Sequence, residues 1–146
     1  MPRLTPDELT EARRRKRLER ERTQEEAERR MAEKRERLEF LEVTEERRQQ
    51  IKSVLEGLYD EIDKLTKKAP ADEITELALR RVNGIINAAK ELLKGDPFID
   101  SIDPFVAAGE YPEHRDVLII LREIKQGMGR QEVEYGQLRE EKRKWR

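Results

Sequence analysis

Residues 51–65, with the sequence IKSVLEGLYDEIDKL, carry the pattern that decides the fold of this chain. The large apolar residues recur at steps of four, three, four and three positions: Ile51, Leu55, Leu58, Ile62 and Leu65. Residues at this spacing share one face of an α-helix, and Val54 widens the stripe that they form. The pattern predicts an amphipathic helix that ends at about Lys68, followed by a turn over residues 69–72.

A second helix is predicted over residues 73–94, where the apolar stripe is broader. Asp72 precedes this segment and is placed to cap it, because a short polar side chain can accept a hydrogen bond from the first turn. Gly95 and then Pro97 predict its end. The breadth of the stripe indicates that this helix contacts two neighbours rather than one.

A third helix is predicted from Pro112 to about Gln126. Proline suits the first turn of a helix, and residues 117–121 are apolar at every position. A buried strand is the alternative for such a run, but the sequence offers no second strand-like segment with which it would pair. We expect Gly127 and Gly129 to end this helix.

The first 42 residues predict one long, densely charged helix. Thr5, Pro6 and Glu8 form a capping-box pattern, and good helix formers dominate the stretch that follows up to Glu42. Only four apolar residues of this helix share one heptad phase: Ala27, Met31, Leu38 and Leu41. Lys34 occupies a position of the same phase and interrupts this seam. Such a seam predicts at most a partial coiled coil, since a secure coiled coil needs about three or four heptads.

Together these segments predict an all-α protein with a three-helix core bundle, made of a helical hairpin and a third helix after an ordered loop. The predicted division is a long charged helix over residues 1–42, a small bundle over 43–128 and a charged tail, helical or disordered, over 129–146. Residues 43–46, Val-Thr-Glu-Glu, offer a second cap where the long helix can break. The loop at 96–111 is rich in large apolar residues and is expected to pack on the bundle.

The composition limits the classes of function. Charged residues make up 45% of the 146 residues, hydrophobic residues 35%, and the net charge is -1. This balance gives no overall attraction toward nucleic acid or an anionic membrane. The absence of cysteine excludes disulfides and thiolate chemistry. The longest apolar run is far shorter than the roughly 20 residues that span a bilayer. The N-terminal residues also lack the apolar region of a secretory signal. We therefore expect a soluble, cytoplasmic protein without a membrane partner.

A four-residue pattern occurs twice, at 96–99 (Asp-Pro-Phe-Ile) and at 103–106 (Asp-Pro-Phe-Val). In the structural interpretation, each aspartate caps a short turn, the proline begins it, and the two apolar residues pack in the core. Alternatively, Asp-Pro-Phe resembles the short peptides with which endocytic accessory proteins dock on adaptor appendages. Those peptides lie in disordered stretches, whereas the apolar neighbours here favour burial, so we favour the structural interpretation.

Acidic residues are frequent in and beside the same loop: Asp96, Asp100, Asp103, Glu110, Glu113 and Asp116. Their oxygens suit a divalent cation, but the spacing fits no calcium-loop pattern and the turn glycine of such loops is missing. His114 is the only histidine, which excludes a multi-histidine metal site within one chain, and its first-turn position predicts a surface side chain. Residues 127–129, Gly-Met-Gly, lack the ending of a phosphate loop. We therefore expect no metal, no cofactor and no catalytic residues.

The long helix also carries a basic cluster: Arg13, Arg14, Arg15, Lys16, Arg17, Arg20 and Arg22. Only Glu19 and Glu21 oppose it within that stretch. Such a cluster can contact phosphates. However, five consecutive basic residues point all round a helix axis, and no aromatic side chain is at hand to stack on bases. Solvated charge that keeps an extended helix in solution is the interpretation we favour.

These observations support three hypotheses. The first is a non-enzymatic scaffold or accessory protein that binds a protein partner, or a second copy of itself, through its long helix and bundle. The second is an accessory subunit that contacts nucleic acid through the basic cluster. The third is an enzyme or metal-binding protein that uses the acidic loop at 96–116.

Overall fold

The computed structural model describes residues 2–106 and 111–145. Within these ranges the chain forms five helices: α1 (Pro6–Val43), α2 (Glu45–Lys68), α3 (Glu76–Leu92), α4 (Pro97–Asp100) and α5 (His114–Lys142). The described residues form no strand; a single isolated antiparallel bridge joins Glu73 and Glu113. The predicted all-α class is confirmed.

The chain divides into two compact units, Met1–Phe40 and Leu41–Arg146. The first unit is a helix with the predicted start. The backbone N–H of Thr5 donates to Glu8 Oε2 at 3.1 Å, and the N–H of Glu8 donates to Thr5 Oγ1 at 3.3 Å. These reciprocal bonds satisfy two of the N–H groups that a helix start leaves unpaired, so the predicted capping box is confirmed.

In the second unit, α2 and α5 pack along each other, α3 contacts both, and the short α4 contacts α3 and α5. The predicted stripe of α2 lies in the core at Ile51, Leu55, Leu58 and Ile62. Leu65 extends the same spacing, but its side chain is 38% exposed. The predicted break after Val43 is also confirmed, since Thr44 separates α1 from α2.

The start of α3 differs from the prediction. The helix begins at Glu76 and is capped by Thr75, whose side chain accepts from the N–H of Ala78 at 3.2 Å. Asp72 does not cap it. Its carbonyl oxygen accepts from the N–H of His114 at 3.0 Å, and the N–H of Ile74 donates to the Pro112 carbonyl at 2.9 Å. Residues 72–74 are thus tied to the start of α5, and the helix forms only after them.

The predicted end of the last core helix at Gly127 and Gly129 is wrong, because α5 continues through both glycines and through Gly136 to Lys142. Each glycine in a helix interior costs up to about 1 kcal/mol relative to alanine. Packing offsets this cost. Met128 and Leu138 are buried, and the buried Gln131 donates from Nε2 to the carbonyl of Leu92 at 2.7 Å, at the end of α3.

The two Asp-Pro-Phe segments differ from each other. In the first, Asp96 accepts from the N–H of Phe98 at 3.0 Å, Pro97 begins α4 and Ile99 is fully buried. Phe98, however, is 67% exposed rather than buried. The prediction that both apolar residues of this segment enter the core is therefore only half right.

The second segment forms no helix. Phe105 packs partly against the core, and its backbone is held by one side chain: Asn83 Nδ2 donates to the Phe105 carbonyl at 2.9 Å, and the Phe105 N–H donates to Asn83 Oδ1 at 2.9 Å. Val106 is 79% exposed, so the prediction that it packs in the core is wrong. Hydrogen bonds from Asn83 of α3 hold this part of the loop, whereas the sequence predicted a short turn capped by Asp103 with both apolar side chains in the core.

Candidate interaction surface on the first helix

Helix α1 exposes almost every side chain between Pro6 and Glu36, and only Ala12 and Met31 are partly covered. This stretch is about 45 Å long at 1.5 Å per residue. Local pairs stabilise it, such as the ion pair of Arg15 Nη2 with Glu11 Oε1 at 2.9 Å. Exposed pairs of this kind contribute only about 0.3–0.5 kcal/mol each. The helix therefore depends on intrinsic propensity and presents a long polar surface.

The structure separates the predicted apolar seam into two parts. Leu38 and Leu41 are buried, at 2% and 0% exposure, while Ala27 is exposed and Met31 is partly buried. Of the four seam residues, only Ala27 and Met31 are therefore accessible at the surface of the described chain.

All seven residues of the basic cluster are exposed. Four of them lie on one face of α1, because their spacing follows the helical repeat at i, i+3, i+4 and i+7: Arg13, Lys16, Arg17 and Arg20. We call these four the basic face. Arg14, Arg15 and Arg22 point to other sides of the helix. The five consecutive basic residues at 13–17 point to all sides of the helix. Arg20 adds a fourth basic residue to the side that holds Arg13, Lys16 and Arg17, which makes that side a continuous stripe.

The basic face belongs to a longer strip without acidic residues. At 3.6 residues per turn, Leu9 precedes it on the same side, and Gln24, Ala27 and Met31 continue it. Glutamates flank the strip on both sides: Glu19, Glu21 and Glu28. None of the four basic residues forms an ion pair with a residue in the described ranges.

The other candidate residues serve the fold. His114 is buried at 7% exposure, and its Nδ1 donates to the Ala69 carbonyl at 2.9 Å, so the prediction of a surface histidine is wrong. A carbonyl oxygen only accepts, which fixes the proton on Nδ1. This bond joins the start of α5 to the end of α2. The sequence could not reveal it, because Ala69 lies far away along the chain.

The acidic residues of the loop bind separate partners. Asp96 Oδ2 accepts from Arg130 Nη2 at 2.8 Å, Asp100 accepts from the N–H of Gly95 at 3.2 Å, and Asp103 lies 3.6 Å from Lys90 Nζ. Glu110 lies outside the described residues. Within residues 2–106 and 111–145, no group of three acidic or histidine side chains is placed to hold a metal ion.

The ionisation of Asp96 makes the stability of the fold depend on pH in the acid range. Burial raises its pKa, but the hydrogen bonds from Arg130 and from the N–H of Phe98 outweigh burial and hold the pKa below its ordinary value of 3.8. A carboxyl whose pKa is lower in the folded state stabilises the fold above its unfolded pKa, and this stabilisation is lost as the pH falls through the folded value.

The Asp96→Asn variant should therefore lose about 1 kcal/mol of unfolding free energy at neutral pH, since asparagine keeps the cap but not the ion pair. Urea unfolding at a series of pH values measures the difference. We expect wild type and variant to converge as the pH falls through the lowered pKa of Asp96, because both side chains are uncharged below it. A difference that stays constant down to that pH would contradict the assignment.

In the part of the chain that the structure describes, no helix has both the length and the apolar character needed to cross a bilayer. Comparison with protein-family models, with curated protein sequences and with solved structures finds no match to this chain.

Proposed function

We propose that this chain is a non-enzymatic interaction protein, a scaffold or accessory subunit of the cytoplasm, that binds a protein partner through α1. The observation that carries the proposal is the exposure of α1 over residues 6–36. A helix with polar residues on all sides gains no packing energy by itself, and most helical stability in proteins comes from tertiary contacts. A partner lying along α1 would supply those contacts.

Light scattering tests the homotypic form of the proposal. The full chain is compared with a chain that begins at Leu41, because Leu41 is buried and its carbonyl accepts from the Arg48 side chain. A dimer that becomes monomeric when residues 1–40 are removed places self-association in α1. A full chain that is already monomeric excludes self-association and leaves a different protein as the partner.

The heterotypic form is tested by affinity capture from the source cells with the same two chains. A protein retained by the full chain and absent from the capture with residues 41–146 supports the proposal. If the full chain is monomeric and both chains retain the same proteins, α1 has no docking role and the proposal fails.

A nucleic-acid-associated role is the second candidate, and the exposure of all seven cluster residues favours it. Contacts to phosphates would make retention of a duplex steeply salt-dependent. Replacing residues 13–17 by glutamine should then abolish the retention. Binding that is unchanged in this variant would exclude the second candidate.

A further inference from the structure

We propose that the basic face of α1 (Arg13, Lys16, Arg17 and Arg20) docks an acidic helix of a different protein. This inference rests on the proposed function and specifies the chemistry of the partner. The four side chains are exposed, share one side of the helix and form no ion pair with described residues. A row of like charge on a regular helix is complementary to carboxylates spaced at the same repeat.

The residues present define what the partner must carry. Three of the four members are arginines, whose planar guanidinium groups bind carboxylates through two parallel hydrogen bonds. Toward the C-terminus the strip continues through Gln24, Ala27 and Met31, where small and apolar side chains allow close helix approach. The expected partner has glutamates over about two turns of one face and aliphatic residues on the same face beyond them.

A second copy of α1 does not satisfy this requirement. In a parallel pair the basic faces would oppose each other, and like charges at facing positions destabilise a helix pair. In an antiparallel pair Arg13 and Arg17 would oppose residues such as Met31 and Ala27, which cannot neutralise them. Because the strip holds no acidic residue from Leu9 to Met31, no register of the pair places a carboxylate on the strip of one copy against an arginine on the strip of the other.

The flanking glutamates distinguish a protein partner from nucleic acid. A helix in the major groove, which is about 12 Å wide, has phosphates on both sides. Glu19 and Glu21 border the basic face and would then lie toward those phosphates. Against a single helix only the narrow strip makes contact. The flanking glutamates can then pair with basic residues at the edge of the partner.

The test uses the full chain and a synthetic, fluorescently labelled helical peptide of about four heptads. Four glutamates follow the spacing of the basic face, leucine and alanine continue that face, and the other positions hold Ala, Gln and Lys. A control peptide has the same composition with the glutamates distributed over all sides. Fluorescence anisotropy is measured at about 20 mM and about 300 mM salt, because screening separates charge pairing from apolar contact.

We expect the patterned peptide to bind more tightly than the control peptide. The variant with Arg13→Gln, Lys16→Gln, Arg17→Gln and Arg20→Gln should bind it about tenfold more weakly at low salt, from four exposed pairs. The matched variant with Arg14→Gln, Arg15→Gln, Arg22→Gln and Arg29→Gln removes the same charge from other sides of α1. We expect it to bind within about threefold of wild type, through the change in long-range attraction alone.

Equal weakening in both variants, or equal binding of both peptides, would show unspecific charge attraction and overturn the inference. So would a DNA duplex that binds more tightly than the patterned peptide and is lost in the first variant. These outcomes are separate from failure of the proposed function. A captured partner that depends on residues 1–40 but tolerates the first variant would leave α1 as a docking helix and refute only the chemistry inferred for it.

Discussion

Replacing Arg48 by methionine is expected to lower the unfolding free energy by about 2–4 kcal/mol. Arg48 is only 3% exposed, and its Nη1 donates to the Leu41 carbonyl at 2.8 Å and to Thr44 Oγ1 at 2.6 Å. The carbonyls of the last turn of a helix have no partner within the helix, so Arg48 caps the end of α1. Its guanidinium carbon also lies 5.3 Å from the centroid of the Tyr135 ring. Methionine fills similar space but donates no hydrogen bond.

The matched control is Arg47→Met, which removes the same charge from the neighbouring, exposed position. We expect Arg47→Met to change stability by less than about 0.5 kcal/mol, as surface substitutions usually do. Urea unfolding followed by circular dichroism compares the midpoints of the two variants at equal slope. If the two midpoints coincide, the buried contacts of Arg48 are not what stabilises the junction of α1 and α2.

Arg48 shows which part of the buried stripe of α2 could be predicted from the sequence and which part could not. It precedes Ile51 by three residues and so extends the buried stripe of α2 by one turn at the same spacing. The apolar members of the stripe were predictable because their burial follows from local periodicity. The charged member was not identified, because a buried arginine is predicted only when its acceptors are known. Those acceptors are Leu41 and Thr44, in a helix end and a turn that are known only from the fold.

Features that depend on distant residues were beyond the sequence. The buried His114 is hydrogen-bonded to the Ala69 carbonyl, and residues 72–74 lie outside α3, hydrogen-bonded to Pro112 and His114. Neither partner is close in the chain, so no helical or turn signal records the contact. The basic face is the opposite case. Its i, i+3, i+4, i+7 spacing is visible in the sequence, although the consecutive basic residues at 13–17 point to all sides of the helix and make the stripe less evident.

The second large effect is expected at Gly127, which the sequence identified as a helix end and which lies inside α5. A Cβ atom at this position would lie 2.9 Å from Ile99 Cδ1 and 3.1 Å from Leu93 Cδ1. Ile99 and Leu93 are both buried, so neither can turn away into solvent. Overpacking of this kind costs about 1–3 kcal/mol, which exceeds the gain of up to about 1 kcal/mol in helix propensity. The Gly127→Ala variant should therefore be less stable than wild type.

Two other glycines of α5 provide the control. An added Cβ at Gly129 or Gly136 would meet nothing within 4 Å. Gly129→Ala and Gly136→Ala should each stabilise the chain by about 0.5–1 kcal/mol, because alanine is the better helix former and no contact opposes it. Thermal unfolding of the three variants should therefore shift in opposite directions on the same helix. If all three substitutions stabilise the chain, α4 does not approach α5 at Gly127. If all three destabilise it, α5 is not a continuous helix through these glycines.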